Sequence, residues 1–191
     1  MTARESEIIG LIRKEVKPAL GCTEPIAVAL AVAKAMEIIE ERHPSLEEGW
    51  RMNSYYNVNI AVSGNILKNG MGVGIPGTGM VGLHIAAALG SVCGKSSYGL
   101  EVLHDLDDTS ISKAKELVGT KAVSIDLADT DHKLYVKADI NLPDGHSSSA
   151  TIMDDHDNIV ETCYDSEVLY SLKITFKSLS CNKFTPLYPE S

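Results

Sequence analysis

The residues best suited to chemistry fall in two short stretches. In "NILKNGMGVGIPGTGMVG", Asn65, Lys68 and Asn69 precede a glycine run that holds the pattern G-x-G-x-x-G in two overlapping copies. A lysine and two amides offer a charge-assisted bond and further hydrogen bonds to a carboxylate or phosphate. Thr78 and Gly79 read as the opening of a helix, where free N–H groups attract the same kind of anion. The plainer alternative is that the glycines only let a strand and a helix pack closely, with Lys68 a solvated loop residue. The second stretch, "KPALGCTEPIAVALA", places Cys22 at the entrance of an apolar helix. The positive end of a helix dipole favours thiolate, the form of cysteine that binds metal. Glu24 beside it opposes that shift, and an inert cysteine is the competing reading.

A dinucleotide fingerprint would need a strand before the glycines, a helix after them, and an acid closing a second strand about 20 residues on. "MGVGI" and "MVGLHIAAALG" supply the first two. The stretch before Glu101, "SVCGKSSYG", is loop-like, and Pro76 sits inside the first copy of the pattern. The fingerprint is incomplete. Among the histidines, His84 reads as a packed residue of an Ala-rich helix. His156, in "DDHDN", is either a site residue or part of a solvated hairpin tip.

The elements that must position these groups can be read from periodicity. Residues 3–17 pattern as an amphipathic helix limited by Pro18. A second helix starts near Glu24-Pro25 and runs through "IAVALAVAKAMEIIEER", buried all round in its first half. "HPSLEEGWRMNS" and "SGNILKNG" read as connectors. From Tyr56 the period changes to two, the mark of a strand. "DDTSISKAKELVG" reads as a capped helix, "KAVSIDLA" and "HKLYVKADI" as strands, and "SSATIM" with "NIVETC" as a hairpin. Helices first and strands in a later block predict an α+β fold, with N-terminal helices packed on a mainly antiparallel sheet. Residues 1–176 are expected to form one domain and 177–191 a loosely ordered tail.

Composition narrows the function classes. The 191 residues are 44% hydrophobic and 23% charged, with a formal net charge of -9. No basic stripe is present, which argues against a nucleic acid or an anionic membrane surface as partner. The longest apolar run is too short to span a bilayer and the N-terminus lacks a signal-peptide core, so the expected location is cytoplasmic. Cys22, Cys93, Cys163 and Cys181 contain no C-x-x-C, which excludes a zinc ribbon.

Taken together, "EVKPALGCTEPIAVALA", "NILKNGMGVGIPGTGMVGLHIAAALG" and "GLEVL" closely resemble the L-cysteine desulfidase family, the serine dehydratase-like alpha-chain proteins. The resemblance runs from about Glu15 to Leu103 and continues more faintly to "HDNIVE", where His156 matches a His-x-Asn-Ile motif. It implies a [4Fe–4S] lyase converting L-cysteine, or L-serine, to pyruvate and ammonia, with Cys22 as the first of three cysteine ligands. Lys68, Asn65, Asn69 and the Thr78-Gly79 amides then become candidates for holding the carboxylate of a small amino-acid substrate, an assignment that rests on residue chemistry alone. The family is about twice this length, and Cys93, Cys163 and Cys181 do not sit in the contexts of its other ligands. The chain is therefore expected to be an N-terminal half. It would be inactive by itself, without an assembled cluster, and would rely on a missing C-terminal half or partner subunit, with homo-oligomers also open. The alternatives are a non-catalytic small-molecule binding or interaction domain and a nucleotide-dependent oxidoreductase.

Overall fold

The longest apolar stretch of the sequence forms the central element. In the computed structural model, which describes residues 4–9, 21–43, 46–47 and 49–172, residues 4–9 form α1 and Thr23–Arg42 form α2. Gly21 has φ +104°, a conformation that glycine adopts without steric cost, and it turns the chain into α2. Every residue of α2 from Pro25 to Ala33 is buried, as its all-round apolar pattern requires. Ile8 and Ile9 in α1 are 49% and 38% exposed, and the rest of the helix expected over 3–17 lies outside the described residues.

The remaining elements, in chain order, are α3 (Trp50–Asn53), β1 (Asn57–Val62), α4 (Gly64–Gly70), β2 (Gly74–Ile75), β3 (Met80–Val81), α5 (Leu83–Cys93), a 3-10 segment (Ser96–Glu101) and α6 (Asp108–Gly119). They are followed by β4 (Val123–Leu127), β5 (Tyr135–Asn141), β6 (Ser147–Met153), β7 (Ile159–Tyr164) and β8 (Glu167–Ser171). Six strands make one sheet in the order β4-β1-β5-β6-β7-β8, and β2-β3 pair separately. Only β1 and β4 run parallel; every other neighbour in the large sheet is antiparallel. The architecture is α+β.

One face of the sheet carries Val58, Ile60 and Val62 from β1, Val136, Ala138 and Ile140 from β5, and Ala150 and Ile152 from β6, all buried. Helices α2 and α5 pack in the same core. Ser148 Oγ donates to the Ala35 carbonyl at 2.6 Å, joining sheet to helix. Arg51 grips Glu40 through two bonds of 2.7 and 2.5 Å and donates to the Gly94 carbonyl at 3.1 Å, so α3 ties α2 to the end of α5.

Three local readings are corrected. "SGNILKNG" contains helix α4, held by the buried Ile66, not a plain connector. "MGVGI" pairs as a strand only at Gly74–Ile75. Thr78 and Gly79 belong to the β2–β3 turn, and the next helix begins at Leu83. Strand β8 was not anticipated, and the expected tail at 177–191 lies outside the described residues.

The other face of the sheet buries charge. Asp139 on β5 is 7% exposed; its Oδ1 lies 3.5 Å from Lys137 Nζ, while its Oδ2 has no hydrogen-bond partner. Glu161 on β7 is buried as well and also feels Lys137. Burial raises the Asp139 carboxyl above its ordinary value, outweighing the attraction of Lys137. The folded state then binds a proton more tightly than the unfolded chain, so this group's contribution to stability falls as pH rises from the ordinary carboxylate range through the raised value. Asp139→Asn removes that fall. Its Tm should exceed wild type at pH 8, by about 2–4 °C for each kcal/mol recovered, and match it near pH 3. A variant that melts lower than wild type at pH 8 would show that the Lys137 pair outweighs desolvation.

Candidate functional site

The N-terminus of α2 meets two other segments at one place. Cys22 is the N-cap residue, in extended conformation, and its side chain makes no cap bond to the helix backbone. Its Sγ instead donates to Glu24 Oε2 at 2.8 Å. From α4, Asn69 Nδ2 donates to Glu24 Oε1 at 3.3 Å. From the β6–β7 turn, His156 Nε2 lies 3.2 Å from Thr23 Oγ1. Glu24 is thus held on both oxygens by neutral side-chain donors.

The hydrogen bond to Glu24 is the main reason the Cys22 thiol is raised above its ordinary value, with burial adding to it. The same bond is the main reason Glu24 is lowered, helped by Asn69. The resting pair is a thiol and a carboxylate. The helix dipole does not produce a resting thiolate, because the proton on sulfur is what the neighbouring carboxylate accepts.

Cys22 also lines a cavity of about 430 Å³ together with Gly21, Ile26, Val73, Gly74, Ile75, Pro76, Leu103, His104 and Leu106. Three wall segments have visible supports. Ile26 belongs to the buried start of α2. The β2 wall is fixed by Thr78, whose hydroxyl donates to the Ile75 carbonyl at 2.7 Å and accepts from the Met80 amide at 3.0 Å. The segment bearing His104 is braced by Lys95 Nζ on Asp105 Oδ2 at 2.5 Å and by an edge-on contact between Tyr98 and His104, 5.7 Å between centroids. The lining is largely apolar, with Cys22 and His104 its polar side chains.

Of the residues singled out in the sequence, Cys22, Asn69 and His156 come together. Asn65 lies one turn before Asn69 on α4 and Lys68 immediately precedes it, both side chains exposed. Thr78 is 2% exposed and spends its hydroxyl inside the hairpin, so it supports the wall and does not face a ligand. Gly79 adopts φ +67° in the turn. Glu24, which by sequence adjacency alone opposes a thiolate, is the hub of the cluster. His104 was missed, and nothing in its sequence context marks it. His84 is half-buried, and burial lowers its pKa, as a packed histidine requires.

Fold and site together define an α+β chain with a small, largely apolar cavity, one of whose lining residues, Cys22, is hydrogen-bonded to a carboxylate. The chain is 46% identical over 172 residues to a protein of Parabacteroides distasonis called UPF0597 protein, covering 90% of this chain and 37% of that protein. Proteins of the same name from Phocaeicola vulgatus and Shewanella pealeana are 43% and 41% identical over 178 and 180 residues. They are covered to 38% and 39% of their lengths, so the chain spans well under half of each of these relatives. No family model matches the chain, and no solved structure matches it.

These relatives overturn the resemblance to the L-cysteine desulfidases. The proteins the chain matches over nine-tenths of its length carry a name that states neither a desulfidase nor a dehydratase activity. The iron–sulfur lyase reading does not stand. Cys22 bonds Glu24, Cys93 donates to the Leu89 carbonyl on α5 at 3.4 Å, and Cys163 is buried in β7. No group of metal-ligating side chains among the described residues includes Cys22. No helix among the described residues is long and apolar enough to cross a membrane.

Proposed function

We propose that this chain supplies a binding site for a small amine-bearing molecule with an apolar body, a free aliphatic amino acid being the first candidate. The carrying observation is the ionised Glu24, pinned by Cys22 and Asn69, with Cys22 itself in the lining of a 430 Å³ cavity whose wall is mainly aliphatic. That volume lies at the small end of ligand pockets. An ammonium group would take the remaining lone pairs of Glu24 while the carbon body enters between Ile26, Ile75 and Leu103. Asn65, one turn from Asn69 on α4, and Lys68, three residues after Asn65, are the candidates for the carboxylate of a zwitterion.

The chain covers only part of its relatives' length, so the site is proposed as one share of a composite site completed by the rest of a longer protein. Any chemistry there would start from Cys22, whose proton already points at an acceptor, the arrangement by which a neighbouring base can activate a nucleophile.

Calorimetry with L-valine, n-butylamine and butyrate separates the contributions. L-valine and the amine should bind. Glu24→Gln should weaken both by about tenfold or more, since a bond to a charged group contributes about 1.5–3 kcal/mol. Butyrate binding as well as L-valine while the amine does not bind would reject Glu24 as the anchor.

A further inference from the structure

A second cluster of ligating side chains lies away from the cavity. His43 is the C-cap residue of α2, Asp144 and His146 occupy the β5–β6 turn, and Asp165 occupies the β7–β8 turn. His43, Asp144 and His146 each offer a ligand atom within 4.8 Å of the other two. His43 Nε2 lies 2.8 Å from Asp144 Oδ2, and the His146 amide donates to Asp144 Oδ1 at 3.1 Å, which fixes the carboxylate. His146 Nδ1 lies 3.0 Å from Asp165 Oδ2, and Asp165 Oδ1 accepts from the Ser147 amide at 2.9 Å. The His146 ring stacks on Tyr164, 5.7 Å between centroids and 18° between planes. It meets the His43 ring edge-on at 5.0 Å.

We propose that His43, Asp144 and His146 form a binding site for a divalent transition metal of the zinc type, with Asp165 as the positioning residue that orients His146. Two imidazoles and a carboxylate are a three-ligand zinc set that leaves a fourth position open. Ligands about 2.0–2.2 Å from a tetrahedral ion stand roughly 3.3 Å apart; the His43–Asp144 pair at 2.8 Å would open slightly and the spacings to His146, within 4.8 Å, would close. Imidazole donors favour zinc, nickel or copper over magnesium or calcium. The bond from Asp165 to Nδ1 leaves Nε2 of His146 to face an ion, the arrangement in which an outer carboxylate fixes a ligating histidine. Charge agrees in sign: with neutral imidazoles the cluster holds two carboxylates, and the negative end of the α2 dipole falls at His43. Arg42, whose charge reaches Tyr164, works against a cation but is not one of the converging groups. Asp144 and His146 side chains are 48% and 46% exposed, so an ion can enter.

The test is zinc titration by calorimetry, with cobalt absorption as a geometric readout, on the chelator-treated chain carrying Cys22→Ser so that the thiol cannot contribute. One equivalent should bind, with the intense visible bands of a tetrahedral cobalt site. His43→Gln and His146→Gln should each weaken binding at least about tenfold, and Asp165→Asn by about 10–100-fold, with unchanged circular dichroism. No binding at about 1 mM zinc, or binding indifferent to these variants, overturns the site and leaves the cluster as hydrogen bonds tying α2 to two hairpins. If a histidine variant fails to fold, X-ray absorption of the zinc-loaded Cys22→Ser chain decides: two imidazole ligands support the site, and fewer overturn it.

Discussion

Gly90→Val is expected to abolish cooperative folding, or to lower Tm by more than about 6–12 °C, the equivalent of at least 3 kcal/mol in a chain of this size. Glycine inside a helix costs roughly 0.5–1 kcal/mol relative to alanine, so a buried helical glycine needs a packing reason. Here the reason is the crossing of α2 and α5. A Cβ placed on Gly90 would stand 2.8 Å from the Cα of Ala29 and closer still to the Ala29 carbonyl oxygen. One turn on, a Cβ at Gly94 would stand 2.7 Å from the Ala33 Cβ. Ala29 and Ala33 on α2 face Gly90 on α5 and its C-cap residue Gly94, each pair spaced by four, so small residues on both sides let the backbones touch. The obstacle at Gly90 is backbone, which cannot rotate away, and valine adds three carbon atoms against it. Gly90→Ala should cost a net amount of about 1–2 kcal/mol, overpacking outweighing the gain in helix propensity. Gly119 in α6 is the control, since nothing lies within 4 Å of a Cβ there and Gly119→Ala should not destabilise. A Gly90→Val protein that melts with wild type would mean that α2 and α5 do not cross this closely in solution.

The same crossing shows what could be read in the sequence. The apolar run from Ile26 to Ala33 announces a helix buried on all sides, and the period-two patterns of β1, β5, β6 and β7 announce a sheet. Local pattern fixes element type there, and the order of elements fixes the class. The glycine run misled because its chemistry depends on which way the backbone turns. Thr78 and Gly79 would have lain at a helix entrance had the helix begun at once, but the chain first makes the β2–β3 hairpin and directs the Thr78 hydroxyl inward. Cys22 and His156 were legible as residues that do chemistry, and their meeting was not, because 133 positions separate Thr23 from His156 and only the β6–β7 turn brings them together. Glu24 was visible but misweighed: adjacency to a cysteine reads as repulsion of thiolate, whereas the fold makes it the acceptor of a thiol proton and an Asn69 amide. His43, Asp144, His146 and Asp165 had no sequence signal as a set, since a helix end and two hairpin turns must converge before they form one.

Gly74→Leu is expected to eliminate ligand binding at the cavity while leaving the fold intact. Gly74 lines the cavity, and a Cβ built on it meets nothing within 4 Å. Its φ lies outside the left-handed range, so a side chain there is not strained. The space that a leucine would fill is then the space that the ligand's carbon body is proposed to use. Gly72 is the matched comparison: a Cβ there is equally unobstructed and its φ is equally ordinary, but it does not line the cavity. Affinity for L-valine should fall more than about 100-fold in Gly74→Leu, a loss of roughly 2.7 kcal/mol, and remain near wild type in Gly72→Leu. The Tm of both variants should stay close to wild type, and a leucine that covers apolar wall can raise it, as cavity filling commonly does. The pair of variants also separates the two parts of the proposal. Loss of binding in Gly74→Leu with no effect of Glu24→Gln would keep the cavity and reject the carboxylate anchor. Binding untouched by Gly74→Leu but lost in Glu24→Gln would move the ligand out of the cavity, onto the polar cluster formed by Glu24, Asn69 and His156.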